Sequence, residues 1–124
     1  MQLLAHGIGE YMCDTYDRND LANLGIIIGY DSRYESLGLC QIMAAVFKAY
    51  SIRVFCLDRH AIAPFIAYFA YKFKCLLGVM VTGRDLPKEY NGAILFNNRG
   101  HLISTEVSSG IEKCMIDYIK QQYY

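Results

Sequence analysis

The residues best equipped for chemistry stand in one polar stretch, Thr82-Gly83-Arg84-Asp85-Leu86-Pro87-Lys88-Glu89-Tyr90-Asn91-Gly92. Two cations beside two acids suit an anion-binding or active-site loop, because a guanidinium fork matches phosphate oxygens. The same charges suit a plain surface connection in which Asp85 and Glu89 neutralise Arg84 and Lys88. Two shorter polar groups accompany it, Asp31-Ser32-Arg33-Tyr34 and Asp58-Arg59-His60. His60 has no identifiable serine or cysteine nucleophile as a partner. His6 and His101 belong to no constellation, so all three read as ordinary histidines. The five cysteines, at 13, 40, 56, 75 and 114, form no Cys-x-x-Cys pair and sit at no zinc spacing from a histidine. They read as free thiols of a reducing compartment, with Cys56 and Cys75 acting as small hydrophobes inside apolar runs.

Such groups converge only if the segments between them form a sheet. Gly25-Ile26-Ile27-Ile28-Gly29-Tyr30 is a β-branched run bounded by glycines, as expected of a strand buried on both faces. Leu39, Ile42, Met43, Val46, Phe47 and Tyr50 then follow at helical spacing. Val54 to Leu57 predicts a second strand. Ile62, Phe65, Ile66, Phe69, Ala70 and Phe73 repeat the helical spacing, and Cys75 to Val81 predicts a third strand. Strand–helix–strand–helix–strand with right-handed crossovers gives three parallel strands. The three polar groups leave the carboxyl ends of those strands, where open parallel sheets bind ligands.

The flanks complete the layers. Leu3, Leu4, Ile8, Tyr11 and Met12 line one face of an opening helix that Gly7 and Gly9 weaken, and residues 14–23 read as a solvated loop. Ala93-Ile94-Leu95-Phe96 predicts a fourth strand, antiparallel at the sheet edge, and Asn97-Asn98-Arg99-Gly100 a turn. Val107, Ile111, Cys114, Met115, Tyr118 and Ile119 close the chain with a helix. The expected fold class is α/β: one three-layer α/β/α domain over residues 1–124, around a mostly parallel four-stranded sheet.

Composition agrees with one packed core. The 124 residues are 54% apolar, and 12 basic side chains balance 12 acidic ones. That excludes a disordered tail, and zero net charge removes the usual footprint of nucleic-acid or anionic-membrane binding. The N-terminal residues lack a basic region and a long apolar stretch, so no signal peptide is expected and the location is read as cytoplasmic.

Several motifs in order resemble one family. Gly29-Tyr30-Asp31-Ser32-Arg33 follows a strand, another strand ends at Asp58, and Gly78-Val79-Met80-Val81-Thr82-Gly83 runs into Pro87-Lys88-Glu89-Tyr90-Asn91-Gly92. Together with Asn98-Arg99-Gly100-His101-Leu102-Ile103-Ser104, they are similar to the first domain of the α-D-phosphohexomutases, in the phosphoglucomutase and phosphopentomutase branch. The resemblance covers roughly Gly7 to Ile119. It implies reversible phosphoryl transfer between two positions of one sugar through a phosphoserine, in a Thr-Ala/Gly-Ser-His-Asn-Pro loop after the third strand. It also implies Mg2+ held by a later domain, not by residues of this chain.

Against that pattern, Thr82, Gly83 and Pro87 match, whereas Arg84 stands for the serine, Asp85 for the histidine and Leu86 for the asparagine. Ile94 replaces the lysine that follows Asn91-Gly92. Asp31 and Arg33 match the family and are expected to brace neighbouring loops. The resemblance therefore implies a truncated or degenerate first domain, inactive alone. The alternatives are a phosphosugar-binding module using Arg84, Lys88 and Asn91, and a partner or regulatory subunit of a larger mutase chain. Uncovered apolar surface would favour self-association. No nucleic-acid or membrane partner is expected.

Overall fold

Glycine and β-branched residues alternate with amphipathic stretches, and each apolar run becomes one layer of an α/β/α stack. The computed structural model describes residues 2–31, 36–57, 59–81 and 93–123. Helices α1 (Gln2–Thr15) and α2 (Arg18–Asn23) precede strand β1 (Ile26–Tyr30). Then come α3 (Ser36–Ala49), β2 (Val54–Cys56), α4 (Ala63–Lys72), β3 (Leu77–Val81), β4 (Ala93–Phe96) and α5 (Thr105–Tyr123). The sheet order is β2-β1-β3-β4. β1 pairs in parallel with β2 and β3, and β4 is the antiparallel edge strand expected from the sequence.

One face of the sheet carries α1 and α3, with α5 lying along α1; the other carries α4. β1 and β3 sit centrally and are buried almost throughout, which explains their unbroken apolar runs. Gly7 and Gly9 do not break α1. They are the surface against which its neighbours close: a side chain at Gly7 would strike Met115 of α5, and one at Gly9 the ring of Tyr50.

Three expectations need correction. Residues 14–23 are not simply a solvated loop, because α1 runs to Thr15 and α2 forms over Arg18–Asn23. The carboxylate of Asp17 accepts from the Asp20 amide at 2.8 Å, capping a turn whose Leu21 is buried. Second, the buried stripe of α3 is Ser36, Cys40, Met43, Ala44 and Phe47, rotated from the expected one, and it leaves Ile42 exposed. Leu39, Val46 and Tyr50 are only partly buried, at the margin of the core.

Third, α4 turns a different face inward. Ile66 and Ala70 are buried, flanked by Ala63 and Ala67, while Ile62, Phe65 and Phe73 are more than half exposed. The sheet sets the distance here. Gly29 and Gly78 lie directly beneath Ile66 and Ala70, so the helix approaches through its small residues. Phe65, Phe69 and Phe73 stack in a ladder along the outer side, with Tyr68 edge-on to Phe69. In α5, Ile111 is buried as expected, but Ile119 and Ile116 are exposed.

Candidate functional site

The end of β1 is tied to the segments on both sides of it. The amide of Asp31 donates to the Val81 carbonyl at 3.1 Å, and the amide of Ala61 donates to the Tyr30 carbonyl at 2.7 Å. Leu57 donates to the Ile28 carbonyl at 3.3 Å. Thus β1, β3 and the segment after β2 end at one ledge. Val81 also pairs with Ala93 of β4. Val81 and Ala93, the residues that bracket the polar stretch in sequence, are thus paired, with the Asp31 amide bonded to Val81.

Asp31 is held in turn by α3. The hydroxyl of Ser36 donates to Asp31 Oδ1 at 2.5 Å, and Ser36 is fully buried. A buried hydroxyl facing a carboxylate makes a short, charge-assisted bond. Sequence reading did not single out Ser36; a hydroxyl on the helix face that also carries Cys40, Met43 and Phe47 was the available signal. Replacing it leaves the carboxylate short of one donor. Ser36→Ala is expected to cost about 1–3 kcal/mol, seen as a lower urea midpoint with an unchanged m-value. A midpoint equal to that of the parent chain would mean the bond contributes nothing to folding.

Of the candidate residues named from the sequence, Asp31 takes this place. Arg33, Thr82, Gly83, Arg84, Asp85, Leu86, Pro87, Lys88 and Asn91 lie outside the described residues. His60 and His101 are exposed, and His101 donates its backbone amide to the side chain of Asn97 within the 97–100 turn. His6 belongs to a different cluster on the α1–α3 side. The Tyr50 hydroxyl donates to Glu10 at 3.1 Å, and His6 Nδ1 lies 3.0 Å from the same oxygen. With the phenol proton directed at Glu10, Nδ1 supplies its own hydrogen. His6 also stacks on Tyr118 of α5 at 4.3 Å. Burial, and then Glu10, push the Tyr50 phenol well above its ordinary range.

All five cysteines are free thiols, as expected. Cys75 is buried as a small hydrophobe, but Cys56, expected to act likewise inside its apolar run, is exposed because it ends a short edge strand. Among the described residues, an open hollow of about 380 Å³ is lined by Tyr71, Lys72, Lys74, Asn98 and Arg99. It lies at the opposite end of the sheet, beside the end of α4. Lys72 there complements the carbonyl end of the helix.

Comparison with known proteins places this geometry in context. A family model described as phosphoglucomutase/phosphomannomutase, alpha/beta/alpha domain I, matches residues 1–122. A phosphoglucomutase of Staphylococcus epidermidis is 29% identical over 106 residues, which is 86% of this chain and 18% of that protein. A probable phosphoribomutase of Schizosaccharomyces pombe is 28% identical over 111 residues, covering 90% of this chain and 19% of that protein. A glucose 1,6-bisphosphate synthase of Homo sapiens is 29% identical over 108 residues, covering 82% and 17% respectively. The chain thus spans about a fifth of the length of these relatives. The crystal structure of a protein assigned as a phosphomannomutase from Thermus thermophilus superposes with a TM-score of 0.76 at 19% identity, over 92% of this chain and 25% of that one. The pp63/parafusin phosphoglucomutase from Paramecium, in its open form, gives 0.64 at 16% identity, over 90% and 22%. At these identities the structural likeness speaks to the fold alone.

Proposed function

Since the chain belongs to the phosphoglucomutase/phosphomannomutase family through that family's α/β/α domain I, we propose that it retains the scaffold of this domain without the serine that carries the phosphoryl group. The observation behind this reading is the sequence between the paired residues Val81 and Ala93, which carries Arg84 at the serine position. A guanidinium has no nucleophilic oxygen and stays protonated in proteins, so it cannot accept a phosphoryl group. Phosphoryl transfer rests on positioning and charge neutralisation. The second loss bears on the latter, because Ile94 in the lysine position packs against the α4-side core. Among the described residues, no group of three or more His, Cys, Asp or Glu could hold a metal ion. The free thiols suit a cytoplasmic location. No helix among the described residues is long and apolar enough to cross a membrane.

The test is incubation of the purified chain with glucose 1,6-bisphosphate, followed by intact-mass analysis and a mutase assay with glucose 1-phosphate. The expected result is an unmodified chain and no turnover. A covalent phosphate on a serine of this chain, with turnover, would overturn the reading.

The same loop favours a second reading, a non-catalytic hold on sugar phosphates by Arg84, Lys88 and Asn91. Ligand at 100 times its dissociation constant adds about 2.7 kcal/mol of apparent stability. For a domain of this size that is an upward shift of roughly 8 °C in a thermal melt. With millimolar glucose 1-phosphate the shift is expected in the parent chain and is lost in Arg84→Ala. An unmoved midpoint in the parent chain removes this second reading and leaves the first.

A further inference from the structure

Two thiols meet at the free edge of the sheet. Cys56 closes β2, and its Cα stands opposite Ile28 of β1. Ile28 belongs to the core on the α3 side. Parallel neighbours in register present their side chains to the same face, so Cys56 faces α3. Cys40, one turn into α3, is only 2% exposed within that same core. Cys40 and Cys56 thus share the layer between α3 and the sheet edge, and Cys56 is exposed. One sulfur is shielded while its neighbour is open to solvent.

The charges around the pair separate the roles of the two sulfurs. The neighbouring Cys40 thiol lowers the Cys56 thiol below its ordinary range, with burial opposing the shift and Lys48 of α3 adding to it. The Cys56 thiol in turn, with burial, keeps Cys40 protonated. Cys13, also exposed, is shifted the other way by partial burial and by Glu10 and Asp14. The thiolate is the nucleophilic form, so Cys56 and Cys13 differ in reactivity despite similar access.

We propose that Cys56 and Cys40 are a redox pair, in which Cys56 reacts with a hydroperoxide and Cys40 resolves the product into an intramolecular disulfide. The Cys56 thiolate attacks the terminal oxygen of the hydroperoxide. The O–O bond breaks, the departing alkoxide or hydroxide takes up a proton, and Cys56 becomes a sulfenic acid. The Cys40 sulfur then attacks that sulfur. An S–S bond forms, the S–O bond breaks, and the thiol proton of Cys40 leaves with the hydroxyl as water. The peroxide gains two electrons and the two thiols lose them. The cross-link joins the first turns of α3 to the end of β2. The proposal rests on this placement and is independent of the reading of the 82–92 loop.

The experiment treats the reduced full chain with one equivalent of hydrogen peroxide, blocks remaining thiols by alkylation and maps the peptides. The expected product has lost two hydrogens, carries a Cys40–Cys56 cross-link and retains Cys13 as a free thiol. Dithiothreitol restores the starting mass. Cys40→Ser is expected to stop at a Cys56 sulfenic acid that dimedone traps. Cys56→Ser, at an exposed position, is expected to abolish the fast reaction. Oxidation of Cys13 as fast as Cys56, or a disulfide joining any other pair, overturns the proposal on the unmutated chain alone.

Discussion

Phe47→Ala is expected to lower the stability of the fold by about 3–5 kcal/mol. For a domain of this size the thermal midpoint falls by roughly 10–20 °C. Phe47 is the largest of the fully buried side chains among the described residues, set where α3 meets the sheet. Removing its ring forfeits the transfer free energy and leaves a void in the close-packed core that Phe47 shares with Ile26, Ile28, Met43 and Val79. Since native domains are stable by only about 5–15 kcal/mol, the variant approaches the threshold of folding. Phe47→Leu keeps most of the volume and is expected to lose far less. Urea titrations of the three chains would show this order, and a loss below about 1 kcal/mol for the alanine variant would mean that the core collapses around the site.

Gly25→Val is expected to be as damaging for a different reason. Gly25 has φ +64, a region that strongly disfavours β-branched residues. A Cβ there would also lie 2.2 Å from the Arg53 carbonyl oxygen, which is backbone and cannot turn aside. That carbonyl accepts from Ile26 at 2.8 Å, and the Gly25 carbonyl accepts from Leu76 at 2.8 Å, so the collision falls where the starts of β1, β2 and β3 are joined. The expected result is a chain that fails to fold or loses more than about 3 kcal/mol, as strain and broken ladder bonds add. Gly38→Ala is the matching control. Gly38 lies within α3 with open space where a Cβ would go, so alanine there is expected to stabilise by about 0.5–1 kcal/mol. Soluble Gly25→Val protein with the parent midpoint would refute the strain argument.

The order of elements was legible because local periodicity carries it. The Ile26–Ile28 run, the glycines around it and the apolar run at 75–81 specify buried strands whatever surrounds them. Which side of a helix faces the sheet is not a local property. In α4 the phenylalanines at 65, 69 and 73 and the small residues at 63, 67 and 70 offer competing stripes. The choice is made by Gly29 and Gly78, distant in sequence, which let the helix approach closely only through alanine and Ile66. The Asp17 cap was missed because Asp and Asn favour loops and helix starts alike. At the site, the order of motifs along the chain marked out Asp31. Its partner Ser36 emerged only when the helix was docked, and so did the pairing of Cys40 with Cys56.

The packing of α1 along α5 also bears on how the chain is made. Leu4, Ile8 and Met12 of α1 belong to a core that α5 helps to close through Ile111, Val107 and Met115, and the whole sheet lies between them in sequence. α3 and the sheet can cover part of α1 earlier, but the contact with α5 waits for the synthesis of all four strands. Contacts of such long sequence separation form late and slowly. The seam between the two ends of the chain is therefore the last to close, and a chain cut short before α5 would leave that side of α1 as exposed apolar surface.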